Sequence, residues 1–186
     1  MISAVSSRAG VRAAVLGAYV LLVEVTRALV MNAQYAAVPA LILGGLALAV
    51  AAVGWPAARL GLGTSGLALR VVGGCALGVV LLLPTAVRAG AAPVLPMSLA
   101  VAAIAVSVGE ELAFRGALYA ALDELGGARL AVLGSTALWT AAHALSHPAA
   151  FLPAVAAAGL LLGLWRWACR DLVGPIIAHV IADLAL

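Results

Sequence analysis

The sequence predicts an all-α fold, a polytopic transmembrane bundle of about seven hydrophobic segments. Two observations predict it. Hydrophobic residues make up 66% of the 186 positions and charged residues only 9%, whereas soluble domains carry about a quarter charged residues. Apolar runs long enough for membrane helices also alternate with short stretches rich in Gly, Pro and Arg. Because no linker long enough to divide domains interrupts them, we expect a single integral membrane domain over residues 1–186.

The hydrophobic segments set the order of the predicted helices. They cover residues 12–31, 38–53, 71–87, 97–122, 130–145, 151–168 and 175–186. The first is expected to be a retained span rather than a cleaved signal peptide, because its apolar character continues beyond Glu24 and Arg27. The last is shorter than the roughly 20 residues that cross a bilayer. Its start at Gly174-Pro175 therefore predicts a first turn deep in the membrane, shielded by protein.

The arginines predict the orientation. The chain has ten Lys and Arg residues, all of them arginine, against seven acids. With a cytoplasmic N-terminus, only Arg88 falls outside, and the inside segments hold Arg8, Arg12, Arg59, Arg70, Arg129, Arg166 and Arg170. This asymmetry follows the positive-inside rule and places the C-terminus on the exterior. The positive charge therefore reports topology, and we expect a lipid bilayer and no nucleic acid as partner.

Three ionisable side chains stand within the fourth apolar run, in the stretch VSVGEELAFRGALY from Val106 to Tyr119. A charge near the bilayer centre costs about 2.5–3.5 kcal/mol, so such groups are kept when they pair or perform work. Glu111 and Arg115 are four residues apart on one helix face and can neutralise each other. Glu110 points about 100° away and has no local partner. We interpret Glu111 and Arg115 as an internal brace and Glu110 as the reactive group.

Two later segments carry further polar groups. Trp139 and His143 are four residues apart on the fifth segment, and His179 and Asp183 are four apart on the seventh. Grouping these side chains with Glu110 in one hydrated cavity removes the cost that each would suffer alone in lipid. Glu110 and His143 also lie at similar depths, roughly 18–20 Å from the cytoplasmic ends of their helices at 1.5 Å per residue. The sequence therefore predicts a site built from three helices.

The order and spacing of these residues resemble the signature of the CPBP family, the CAAX protease and bacteriocin-processing group, also called the ABI family of intramembrane endopeptidases. The resemblance covers about Val106 to Leu186. Its three motifs are Glu110-Glu111-x-x-x-Arg115, Trp139-x-x-x-His143 and His179-x-x-x-Asp183. The family usually has Phe at the position of Trp139 and often has Asn at that of Asp183.

The resemblance implies a glutamic-type intramembrane endopeptidase. We expect it to lie in a bacterial-type plasma (inner) membrane, with the orientation given above. Glu110 and His143 would activate the water that attacks the scissile carbonyl, and His179 would stabilise the oxyanion, with Glu111, Arg115 and Trp139 as support. An ionised Asp183 cannot donate to an oxyanion. Asp183 is therefore either protonated or it orients and charges His179.

Alternatives remain at this point. The substrate would be a membrane-anchored protein or peptide, and prenylated proteins, C-terminal sorting signals and leader peptides are all open. We expect no cofactor, but zinc held by Glu110, Glu111, His143 and His179 is the mechanistic rival, although the helical HExxH spacing is lacking. A non-catalytic scaffold or immunity protein of the same fold, and a small transporter or proton relay, are the rival functions.

The remaining polar groups are expected to be structural. Glu24 and Arg27 form a predicted pair in the first helix, His147 a solvated loop residue, and Cys75 and Cys169 two buried thiols without a disulfide.

Overall fold

The computed structural model describes residues 2–31, 33–63, 65–86 and 95–185. These residues form helices joined by turns, without a β-strand, so the predicted all-α fold is confirmed. The helices are α1 (Ile2–Met31), α2 (Ala37–Val50), α3 (Ala57–Leu60), α4 (Leu67–Ala86), α5 (Met97–Glu110), a π-helix (Glu111–Leu118), α6 (Tyr119–His143), α7 (Leu152–Cys169) and α8 (Val173–Leu184), with a 3₁₀ turn at Ala149–Phe151.

The helix bounds differ from the predicted segments at several ends. Helix α1 begins about ten residues before the predicted start, because the hydrophobic pattern marks only the apolar part of a helix that continues through Arg8 and Arg12. Helix α8 begins at Val173, just before the predicted Gly174-Pro175 start. The predicted ends at Val87 and Leu186 and the predicted exterior Arg88 lie outside the described residues. The placement of each helix in a membrane stays a prediction.

Between the predicted segments 97–122 and 130–145, the structure has only a two-glycine break. Within α6, Gly126 (φ −150°, ψ 20°) and Gly127 (φ 76°, ψ −178°) leave helical geometry. A Cβ built on Gly134 would lie 2.9 Å from Leu122 Cδ1, whereas a straight helix would separate these two residues by about 18 Å. The chain therefore reverses its direction at the two glycines. The positive φ of Gly127 is one that L side chains rarely adopt. This reversal brings the second half of α6 back beside the π-helix.

Small residues let helices α2 and α5 pack backbone against backbone. A Cβ built on Gly109 would overlap the carbonyl oxygen of Gly45, and one on Gly45 would overlap that of Ala105. Close approach through small residues is the usual means of helix association in lipid, where burial of apolar surface gives little driving force. Since Gly109 precedes Glu110, this contact fixes the end of α5 at the candidate site.

Among the described residues, three helical stretches are long and apolar enough to cross a membrane: Arg8–Met31, Met97–His143 and Ala149–Cys169. Helix α2, most of α4, and α8 are shorter apolar helices. Cys75 and Cys169 are exposed on the outside of the bundle rather than buried. The prediction of buried thiols was wrong, because an apolar sequence context in a membrane protein also marks surfaces that face lipid.

Candidate active site

The polar centre of the bundle lies where α5 continues into the π-helix. Wide turns of this kind occur mostly as short insertions and often at functional sites. Glu110 ends α5, and Glu111 begins the π-helix, whose residues are buried apart from Leu112. Both carboxylates are therefore held inside the protein, on adjacent residues that project in different directions.

Glu111 and Arg115 form a fully buried pair. Arg115 Nη1 donates to Glu111 Oε1 at 3.0 Å, and both side chains have 0% exposure. The Arg115 guanidinium also lies 4.2 Å from the centre of the Trp139 ring, within cation–π range. Its Nε and Nη2, and Glu111 Oε2, have no hydrogen-bond partner among the described residues. Each charge of this pair therefore depends heavily on the other.

Glu110 is bound from two sides by groups of other helices. The Trp139 indole Nε1 donates to Oε2 at 2.7 Å. Arg27 Nη2, from α1, donates to Oε1 at 3.1 Å. Glu110 therefore has a cationic partner after all, supplied by a residue 83 positions earlier in the chain. The expected Glu24–Arg27 pair is also present in α1, so Arg27 contacts both acids.

The two histidines face the same oxygen of Glu110. His143 Nε2 lies 3.9 Å and His179 Nε2 4.0 Å from Glu110 Oε2. His143 Nδ1 is 2.9 Å from the carbonyl oxygen of Trp139. A carbonyl can only accept, so Nδ1 carries the proton, and Nε2 of the neutral ring presents its lone pair towards Glu110. The structure thus brings Glu110, His143 and His179 together, as the sequence predicted.

His179 stands between two carboxylates. Its Nδ1 is 2.9 Å from Glu111 Oε1, which can only accept, so Nδ1 donates the proton. Its Nε2 is 3.5 Å from Asp183 Oδ2, one turn further along α8. Ser107 Oγ, on α5, lies 2.7 Å from the same Asp183 oxygen and 2.7 Å from the carbonyl oxygen of Ala103, so its single proton can be donated to only one of them. Glu111 therefore holds His179 as well as Arg115, a role beyond the brace that the sequence predicted.

A buried aspartate fixes the start of α8, the helix that carries His179. Asp171 accepts from the backbone N–H groups of Val173 (3.0 Å) and Gly174 (2.9 Å) and from the Trp165 indole (3.1 Å). A carboxylate at this place satisfies N–H groups that have no partner within the helix and complements the helix dipole. Asp171 thereby anchors the N-terminal end of the short helix α8 to α7, and with it the position of His179.

An apolar cavity of about 290 Å³ opens beside these residues. Trp139, His179 and Asp183 lie in its wall, and the rest comes largely from aliphatic side chains of α4 and α7, among them Val80, Leu81, Val155, Leu161 and Leu162. Phe151 and His147 line it as well, and His147 stacks on His143 with ring centres 5.2 Å apart. His147, expected in a solvated loop, is exposed but also borders this cavity.

The two carboxylates of the zinc alternative are engaged by hydrogen-bond donors. Glu110 and Glu111 accept from Arg27, Trp139, Arg115 and His179. Within the described part of the chain, no group of three or more His, Cys, Asp or Glu side chains has a geometry that could hold a metal ion. The expectation of a cofactor-free site stays a prediction.

Sequence reasoning missed four contacts of the site. These are the Arg27–Glu110 ion pair, the Trp139 indole donor, the His179–Glu111 hydrogen bond and the Ser107–Asp183 hydrogen bond. Trp139 was expected as a supporting residue without a stated hydrogen bond, yet its N–H is the closest donor to Glu110. Arg27 alone offered a signal, because an arginine within an apolar run needs a partner.

Comparison with known families gives a match in the second half of the chain. A family model described as type II CAAX prenyl endopeptidase Rce1-like matches residues 92–185, about half of the chain. Comparisons with curated proteins and with solved structures give no match. The matched region contains Glu110, His143, His179 and Asp183, and it begins after helix α4.

Proposed function

Since the chain belongs to the Rce1-like family of type II CAAX prenyl endopeptidases, we propose that this integral membrane protein is a glutamic-type intramembrane endopeptidase. It hydrolyses a peptide bond near the membrane in an anchored protein or peptide. The observation that carries the proposal is the convergence of Glu110 Oε2 with His143 Nε2 and His179 Nε2, at 3.9 and 4.0 Å.

Glu110 and His143 are proposed to activate the attacking water. Two acceptors 3.9 Å apart can both bind one water molecule at ordinary hydrogen-bond lengths of about 2.8 Å. The water donates one hydrogen bond to the Glu110 carboxylate and one to the His143 Nε2 lone pair. As its oxygen attacks the scissile carbonyl carbon, Glu110 takes the proton and later gives it to the leaving amine. General base catalysis of this kind contributes about 10²–10⁴-fold.

His179 is proposed to stabilise the oxyanion. Glu111 accepts from its Nδ1, so a doubly protonated ring would present Nε2–H to the negative oxygen that develops on the carbonyl. Asp183, 3.5 Å from that nitrogen, balances the charge of such a ring and orients it. We therefore assign Asp183 to the charging and orientation of His179. A role as a protonated donor is the alternative that the tests below separate.

The apolar cavity is proposed to receive the hydrophobic part of the substrate. Its wall brings Trp139, His179 and Asp183 beside aliphatic side chains of α4 and α7, so an apolar group held there would lie next to the reacting carbonyl. Apolar pockets with a few convergent polar groups are typical ligand sites. An isoprenoid group and a hydrophobic peptide tail would both suit such a wall.

Mass spectrometry of cleavage products tests this function. The purified protein in liposomes is incubated with a farnesylated CAAX peptide, a C-terminal hydrophobic sorting peptide and a leader peptide. We expect a new terminus in at least one substrate, and its loss with Glu110→Gln in a protein that remains folded. An unchanged set of termini from Glu110→Gln would refute the assignment. If all three substrates and a wider panel of anchored proteins stay intact with the wild-type protein, a non-catalytic scaffold is favoured instead.

A further inference from the structure

A cation from outside the family-matched region contacts the proposed base. Arg27 lies on α1, and the matched residues begin at position 92. Its Nη2 is 3.1 Å from Glu110 Oε1, and its Nε is 3.1 Å from Glu24 Oε2. The side chains of Arg27, Glu24 and Glu110 are only 11%, 3% and 4% exposed. One buried guanidinium thus bridges an acid of its own helix and the proposed base.

We propose that Arg27 is a positioning residue for peptide-bond cleavage, anchored by Glu24, which holds Glu110 charged and turned towards the two histidines. The proposal rests on the proposed function of Glu110 as base. It extends the site to the N-terminal helix, which neither the family match nor the three motifs include.

The contacts of Glu110 divide its two oxygens between positioning and reaction. Oε1 binds Arg27, whereas Oε2 accepts from Trp139 and faces His143 and His179. A glutamate side chain has several rotatable bonds, so one contact alone leaves its carboxylate free to turn. Two donors on opposite oxygens fix the carboxylate plane. Small displacements of a catalytic group are costly, since 1 Å of misplacement can lower a rate about 100-fold.

The surroundings of Arg27 favour this role over that of a simple helix brace. A brace needs one acid, but Arg27 faces two, and Glu24 Oε1 is buried without a hydrogen-bond partner among the described residues. Helix α2 also leaves space for the arginine stem: a Cβ built on Gly44 would lie 2.8 Å from Arg27 Cδ. The Arg27 side chain therefore passes α2 and places its guanidinium beside Glu110, the carboxylate that the proposed reaction requires in ionised form.

The charge-balanced double variant Glu24→Gln/Arg27→Gln tests the proposal. It removes one charge of each sign, so the bundle keeps its net charge while Glu110 loses its cation. We expect kcat for the cleaved substrate to fall about 10–100-fold, with KM within about twofold and the melting temperature in detergent close to wild type. Arg27→Lys, which keeps a cation, should recover at least about fivefold in kcat over the double variant. Arg12→Gln is the matched control on the same helix, because Arg12 pairs with Glu124 instead.

Wild-type kcat in the double variant would overturn the proposal. If that variant does not accumulate, Glu24→Ala alone decides, since it removes the acceptor that anchors Arg27: a lower kcat at unchanged KM supports positioning, and wild-type kcat refutes it. Glu110→Gln in the same assay separates the two proposals. If Glu110→Gln is inactive while the double variant is fully active, only the role of Arg27 fails. If Glu110→Gln cleaves normally, both fail.

Discussion

Replacing Glu111 by Gln should lower the free energy of unfolding of the bundle more than almost any other isosteric substitution. The substitution keeps an acceptor oxygen but removes the charge that faces Arg115, whose side chain has 0% exposure and two nitrogens without a partner among the described residues. Breaking a buried ion pair by removing one member costs about 3–5 kcal/mol, because the remaining charge stays buried without compensation. We expect Glu111→Gln to lower the free energy of unfolding by about 4 kcal/mol. Arg115→Met should lower it by about 3 kcal/mol, because His179 still donates to the Glu111 carboxylate that is left without its arginine.

The double variant Glu111→Gln/Arg115→Met makes the test specific. It removes both charges and keeps an apolar side chain against the Trp139 ring, so we expect a cost of at most about 2 kcal/mol, well below the two single costs combined. Steric trapping or SDS titration of the protein in mixed micelles measures these free energies of unfolding. Glu124→Gln, which breaks only the partly exposed contacts to Arg12 and Arg59, serves as control and should cost less than about 1 kcal/mol. Additive single costs, or a Glu111→Gln protein as stable as the control, would refute the brace.

Three further predictions concern the site and the helices that hold it. Asp183→Asn should lower kcat about tenfold at unchanged KM, because His179 loses its balancing charge; an unchanged kcat would instead indicate a protonated, donating Asp183. Gly109→Ala places a methyl group on the Gly45 carbonyl, so it should lower the free energy of unfolding by about 2 kcal/mol or more and abolish cleavage. The control is Gly17→Ala, which should cost less than about 1 kcal/mol because its Cβ would lie 3.6 Å from Leu138, an ordinary contact distance. Treatment with EDTA or 1,10-phenanthroline should leave cleavage within about twofold, and a loss that added zinc restores would establish the metal-dependent mechanism.

The helices could be predicted because a segment in lipid must be apolar and must satisfy its backbone hydrogen bonds within itself. Long apolar runs of this kind can be read directly from the sequence. The pairs Glu111–Arg115 and His179–Asp183 followed from spacing alone, since residues one turn apart on a helix are neighbours. The sequence left a gap between residues 122 and 130, whereas the helix is broken only at Gly126 and Gly127, because charged flanking residues resemble a loop even when they continue a helix.

Contacts between distant helices could not be predicted in the same way. The Arg27–Glu110 pair depends on how α1 is rotated and how deep it lies, and hydropathy specifies neither. The π-helix at residues 111–118 widens the turn by a local change in hydrogen bonding that leaves the apolar pattern intact. Trp139 was identified by position, but its donor N–H matters only because the reversal of α6 brings it to Glu110. The catalytic roles themselves stay predictions.

A kinetic double-mutant cycle between Glu110 and His143 tests most directly whether the two side chains act on one water molecule. Single-turnover rates for the cleaved substrate are measured with Glu110→Gln, His143→Ala and the double variant, each checked for folding. Residues that act as a unit are strongly non-additive. We predict that the double variant is no more than about threefold slower than the slower single variant. Rate losses that multiply in the double variant would show independent action and contradict the shared site.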